Sequence, residues 1–177
     1  SIKEQFLGAG EFNITSLHVA RNSLNSEATY LRKLLLQMGV FGKGTPVYLS
    51  IDPSIESSYQ LDTDTEGINI VGQNEQTVFY GIQTLRQLIR LNETGCTLPR
   101  VNVADTPDFE HRAFFLDIAR HFQPLDQIKK TIEVMSTYKM NRLQLGISND
   151  EGWRLEIQSV PELTNVGARR SYHRYKT

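Results

Sequence analysis

Apolar residues change their spacing several times along this chain, and each spacing predicts a different element. Across residues 14–20 apolar and polar side chains alternate, as in a half-buried strand. Ala28, Leu31, Leu34, Leu35 and Met38 then recur at helical spacing, with Ser26 placed to cap that helix and Gly39 to stop it. Residues 46–51, 59–62 and 68–71 read as strands, the last two joined by an Asp64-Thr65-Glu66-Gly67 turn. Asn74 caps a second helix, in which Val78, Ile82, Leu85 and Ile89 form one apolar stripe able to pack on the sheet. Residues 14–104 therefore read as a small α+β layer, an antiparallel sheet covered by helices, within a first domain spanning residues 1–106.

The pattern changes after Asp105-Thr106-Pro107, a turn-rich stretch suited to a boundary. Residues 113–118 form a nearly continuous apolar run, Leu125, Ile128, Ile132 and Met135 mark a helix, and residues 143–147 make a second short strand. Strand, helix, strand in that order makes the two strands parallel, and parallel strands need both faces covered. Residues 107–177 thus read as the first β/α units of an incomplete (β/α)₈ TIM barrel, far short of the roughly 250 residues a closed barrel takes. The partner this reading requires is the remaining carboxyl-terminal part of the same protein.

Composition narrows the classes. With 39% hydrophobic and 22% charged residues the chain is globular, and 19 Lys plus Arg against 20 Asp plus Glu give a formal charge of −1. No dense basic run is present to neutralise phosphates or anionic lipid, which argues against nucleic acid and membrane as partners. The longest apolar runs fall well below the roughly 18 residues of a spanning helix. The chain opens on Ser1 with no leader pattern after it, so its start is expected to be processed or cut. Cys96 stands alone and excludes a disulfide framework within these residues. Asn13-Ile14-Thr15 and Asn92-Glu93-Thr94 are glycosylation sequons, which favours a secreted or lysosomal protein with glycans at Asn13 and Asn92.

The candidate chemistry lies in the second region. In parallel β/α units the loop after each strand opens at the carboxyl end, so Arg120-His121 and Asn149-Asp150-Glu151 share one mouth. A guanidinium offers donors in a fixed fork suited to adjacent sugar hydroxyls, while Asn and Asp accept or donate beside it. From spacing alone, Arg120 and Asp150 read equally well as an ordinary ion pair between strands. His18, His111, His121 and His173 have no HxH, HExxH or CxxC partner, so no metal site is expected. Gly8-Ala9-Gly10 precedes a strand instead of joining strand to helix, and no cofactor is expected. Trp153 reads as a packing anchor, and Asp62, Asp64 and Glu66 as a solvated turn.

These residues resemble a known family. Residues 78–88, VFYGIQTLRQL, are similar to the helix that closes the small α/β domain of family 20 glycoside hydrolases, the β-N-acetylhexosaminidases and chitobiases. His111-Arg112, LDIARHF at residues 116–122 and NDEGWRLEI at residues 149–157 resemble that family's HRG, LDxxRHF and DDEGWRxEI motifs in order, and Pro161-Glu162-Leu163-Thr164 extends the likeness. The resemblance implies that Arg120 binds the 3- and 4-hydroxyls of a terminal N-acetylhexosamine, with Asn149 and Asp150 beside it. It implies retaining cleavage in which the substrate's acetamido oxygen attacks the anomeric carbon. The family's catalytic Asp-Glu pair lies further along the barrel and has no counterpart here, so no catalytic residue is assigned to this chain. Asn149 stands where the family has the first acid of its DD pair, and Gln144 and Gly146 replace its HxH. Those departures motivate an alternative, a noncatalytic carbohydrate-binding or structural glycoprotein with the same fold.

Overall fold

The computed structural model describes residues 3–19 and 24–169, and the chain divides into two units, Ser1–Glu110 and His111–Thr177. In the first unit the elements follow as β1 (Lys3–Ile14), β2 (Leu17–Val19), α1 (Asn25–Gln37), β3 (Thr45–Ile51), β4 (Tyr59–Thr63), β5 (Ile68–Gly72), α2 (Glu75–Leu88), β6 (Arg90–Asn92) and β7 (Gly95–Asp105). They build one seven-stranded sheet in the order β1-β7-β4-β5-β3-β2, with β6 paired to β7.

The sheet is mixed, which corrects the expectation of an antiparallel one: β3 runs parallel to both β2 and β5. For β2 and β3 the cause is the crossover through α1, because a chain that leaves a strand, forms a helix and returns beside that strand comes back in the same direction; β5 runs parallel to β3 because β4, antiparallel to β5, intervenes between them in the chain. The single strand expected over residues 14–20 is also divided. Ser16 turns the chain between β1 and β2, where its carbonyl accepts from Thr45 N at 3.0 Å. Gly44 allows that approach, since a Cβ there would lie 1.9 Å from the Ser16 oxygen. Ala20 and His173 lie outside the described residues.

The start of α2 and the stop of α1 have local causes. Asn74 caps α2 as its spacing predicts: its Oδ1 accepts from Thr77 N at 3.1 Å and Thr77 Oγ1 accepts from Asn74 N at 3.0 Å. Ser26 does not cap α1. The helix already begins at Asn25, and the Ser26 hydroxyl donates to Glu27 Oε2 at 2.6 Å. Gly39 ends it with φ 75°, a left-handed conformation that glycine adopts without penalty. One core joins both helices to the sheet through Leu31, Leu35, Leu61, Ile70, Ile82 and Leu85, all fully buried. The polar cluster within it is satisfied: Tyr59 OH donates to Asp105 Oδ2 at 2.7 Å and lies 2.7 Å from Thr84 Oγ1.

The second unit contains β8 (Ala113–Asp117), α3 (Leu125–Thr137), β9 (Arg142–Gly146) and the short α4 (Glu162–Asn165). β8 and β9 pair in parallel, with Phe115 opposite Gln144 and Asp117 opposite Gly146. Phe114 lines a cleft with Val134, Met135 and Tyr138 of the α3 segment, so α3 lies on the Phe114 face. Period-two alternation then puts Phe115, Asp117, Gln144 and Gly146 together on the other face. Phe115, Ile132, Val134 and Tyr138 remain exposed, as expected of a two-stranded parallel sheet that covers little of its own apolar surface.

Candidate functional site

The site is assembled at the carboxyl ends of β8 and β9, where both strands give way to loops. Asp117, the last residue of β8, turns its carboxylate into the loop that follows. Its Oδ1 accepts from the backbone N–H groups of Ala119 and Arg120, both at 3.0 Å. Its Oδ2 accepts from Arg120 Nη1 at 2.8 Å and from Asn149 Nδ2 at 3.5 Å. The Arg120 backbone N–H, and then its guanidinium, hold the Asp117 carboxyl below the ordinary aspartate range against partial desolvation, with the Ala119 N–H acting in the same sense. Asp117 is thus an anion that fixes both the backbone and the side chain of Arg120.

Arg120 points onto the surface, with its side chain 58% exposed and its Nη2 3.8 Å from Asp150 Oδ1. The ion pair anticipated between Arg120 and Asp150 is therefore the longer of two, and Asp117 is the nearer partner. Asn149 closes a tight turn: its Oδ1 accepts from Glu151 N at 2.8 Å and Gly152 N at 3.2 Å, and its own N–H donates to Gly152 O at 3.0 Å. Arg120, Asn149 and Asp150 are brought together as their positions on the strands predict. Asp117 escaped the sequence reading as a site residue, although a carboxylate three residues before Arg120 at the end of a strand was the signal for it.

Arg154 fastens the two loops. Its Nε donates to Ile118 O and its Nη2 to Ala119 O, both at 3.0 Å, while Nη1 donates to Ala168 O. The guanidinium carbon lies 5.5 Å from the centre of the Phe122 ring, a cation–π contact. Gly152 lets the loops close, because a Cβ at this position would stand 2.5 Å from Ala119 O. Trp153 is held by hydrogen bonds: its backbone N–H donates to Gly167 O at 3.0 Å and its indole N–H to Leu155 O at 2.5 Å.

Asn13 and Asn92 are both exposed in the first unit, Asn13 at the end of β1 and Asn92 at the end of β6. Asn92 Oδ1 there accepts from Thr94 N at 3.0 Å. Cys96 is buried, and burial pushes its thiol up. Among the described residues no group of three or more His, Cys, Asp or Glu could hold a metal ion. Among them also, no helix is long and apolar enough to cross a membrane.

Two family models match in succession: glycosyl hydrolase family 20, domain 2, over residues 3–106, and the glycosyl hydrolase family 20 catalytic domain over residues 109–176. The chain therefore belongs to glycosyl hydrolase family 20. A beta-hexosaminidase of Porphyromonas gingivalis is 36% identical over 148 residues, covering 78% of this chain and 19% of that protein. The N,N'-diacetylchitobiase of Vibrio harveyi is 38% identical over 115 residues, covering 65% of this chain and 13% of that one. A mutant Streptomyces plicatus beta-hexosaminidase, solved in complex with its product GlcNAc, superposes with a TM-score of 0.68 at 29% identity, covering 83% of this chain and 33% of its own. The chain thus spans under a fifth of the length of those two curated relatives.

Proposed function

We propose that this chain is the amino-terminal part of a glycosidase that removes terminal N-acetylhexosamine from chitin-type oligosaccharides or glycoconjugates. The observation that carries the reading is the Asp117–Arg120–Asp150 cluster, set at the carboxyl ends of two parallel strands in a chain of family 20. A guanidinium buttressed from one side by Asp117, in a side chain more than half exposed, suits two adjacent hydroxyls of a neutral sugar. Asn149 and Asp150 complete that binding edge. In this reading β8, α3 and β9 open a (β/α)₈ barrel, residues 107–177 are its beginning, and residues 1–106 are the domain in front of it. The remaining carboxyl-terminal part supplies the acid and the group that orients the substrate's acetamido oxygen. Secretion, with glycans at the exposed Asn13 and Asn92, belongs to the same proposal.

Hydrolysis of a chromogenic N-acetylglucosaminide by the complete protein tests the activity, and calorimetry with N-acetylglucosamine tests the site. Arg120→Ala is expected to weaken sugar binding by about 1.5–3 kcal/mol, the scale of hydrogen bonds to a charged group, while leaving the protein folded. Unchanged affinity in a folded variant removes Arg120 from the site. Intact sugar binding without turnover in the unaltered protein points to the noncatalytic reading.

A further inference from the structure

We infer that Arg154 is a positioning residue for the Arg120 edge: together with Asp117 it clamps, from opposite ends, the two peptide groups that lead into Arg120. The ligand used to test this role rests on the proposed sugar-binding reading. From the end of β8 the chain reaches Arg120 through Ile118 and Ala119, so two peptide groups, 118–119 and 119–120, precede that residue. Each carries one N–H and one C=O. Asp117 Oδ1 accepts both N–H groups, those of Ala119 and Arg120, at 3.0 Å. Arg154 takes the other ends: its Nε donates to Ile118 O and its Nη2 to Ala119 O, both at 3.0 Å. Gly146 O of β9 accepts from the N–H groups of Ile118 and Ala119, also at 3.0 Å, and ties the start of this turn to the neighbouring strand.

A peptide group is a rigid plane, so a hydrogen bond at one end lets it swing about the flanking single bonds, whereas bonds at both ends fix its orientation. The 119–120 plane contains the Arg120 nitrogen, and its orientation sets the direction in which the Arg120 side chain leaves the backbone. Arg154 thus aims the Arg120 guanidinium through the main chain. Nε and Nη2 form one edge of a planar fork, and two successive carbonyls meet that edge as the two oxygens of a carboxylate would. The fork is itself held from behind, since Nη1 donates to Ala168 O and the Phe122 ring centre lies 5.5 Å from the guanidinium carbon. A lysine at 154 would keep the charge but not the planar edge, so the clamp depends on the shape of the arginine head.

Hydrogen exchange in the complete protein, followed without sugar, tests the clamp. The Ala119 and Arg120 amides should exchange about tenfold faster in both Arg154→Lys and Arg154→Met, the scale of one lost charged hydrogen bond, while the α3 amides keep their rates. Unchanged rates at both amides, or a rise shared equally by α3, overturn the clamp. A double-mutant cycle with Arg120→Ala, read as N-acetylglucosamine affinity by calorimetry, tests the positioning role. Arg154→Lys should weaken binding about tenfold in the unaltered background and cause no further loss in the Arg120→Ala background. Equal losses in both backgrounds, or none in either, overturn positioning through Arg120. Gly152→Ala, which pushes on Ala119 O and leaves the guanidinium in place, gives the same two readouts if the Arg154 variants do not fold. A parent protein that binds no sugar refutes the sugar-binding reading, and the exchange rates then decide the clamp by themselves.

Discussion

Adding a single methyl group at Gly152 is the smallest change that addresses how the site is held. The Cβ of Gly152→Ala would lie 2.5 Å from Ala119 O, whereas a carbon and a carbonyl oxygen that touch sit about 3.3 Å or more apart. The two loops must therefore separate by about 1 Å, and the atom displaced is the same carbonyl that accepts from Arg154 Nη2 at 3.0 Å. Overpacking of this kind costs about 1–3 kcal/mol, and stretching that hydrogen bond adds to it. The displacement acts on the residue directly before Arg120, so it should also move the guanidinium away from Asn149 and Asp150. Urea unfolding of the complete protein should show a lower midpoint with an unchanged slope, and calorimetry should show weaker N-acetylglucosamine binding. A variant with both the midpoint and the affinity of the parent would refute the claim that the close approach of Ala119 and Gly152 builds the site.

Two further outcomes follow from the carboxylate at the centre. Asp117 has a lowered pKa, so its contribution to stability is fully present above the unfolded-state value near pH 4 and is lost as pH falls through the lower native value; sugar affinity measured against pH should be flat above about pH 5 and collapse only in stronger acid. Loss of affinity between about pH 5 and pH 7 would show that another group governs the site. Asn149→Asp keeps the acceptor for Glu151 N and Gly152 N but replaces the amide donor facing Asp117 with a second carboxylate, so the unfolding midpoint should drop slightly at neutral pH and recover in acid. A midpoint difference that does not vary with pH would mean that Asp117 does not sense residue 149.

What could be read from the sequence was set by how local each signal is. The α2 cap at Asn74, the stop at Gly39 and the β8–α3–β9 order follow from neighbouring residues, and the structure has all three. The strands β1 and β7 were not anticipated, and their composition explains why. β1 is interrupted by Gly8-Ala9-Gly10, where the pairing register shifts between Phe6 and Glu11, and β7 carries Pro99 in its middle. The shift is met by a residue distant in sequence: Thr63 Oγ1 donates to Pro99 O at 2.6 Å and accepts from Val101 N at 3.0 Å. A bulge completed by a side chain from another strand leaves no periodic trace. The mixed direction of the sheet was missed for a related reason, since it depends on which strand α1 returns beside and on β5 inserting between β3 and β4. At the candidate site, the gathering of Arg120, Asn149 and Asp150 at one end of the strands was legible because strand ends in parallel units face one way, whereas the placement of Asp117 depends on the turn that brings its carboxylate under two N–H groups.

The position of Asn149 gives the departures from the family pattern a common physical reading. Its amide has two tasks in this structure: the oxygen closes the turn at Gly152, and the nitrogen donates toward Asp117. Aspartate at 149 could perform the first task but not the second, because two carboxylates sharing one exposed guanidinium repel each other unless a proton or a further cation is supplied. An imidazolium on β9 would be such a cation, and β9 offers Gln144 and Gly146 instead, with the Phe115 ring standing over the glycine. Neutral amide and absent imidazole are therefore mutually consistent: each removes a charge that the other could no longer balance. Restoring a carboxylate at 149 alone should leave the site worse compensated than it is now, because neither Gln144 nor Gly146 supplies a cation to balance it.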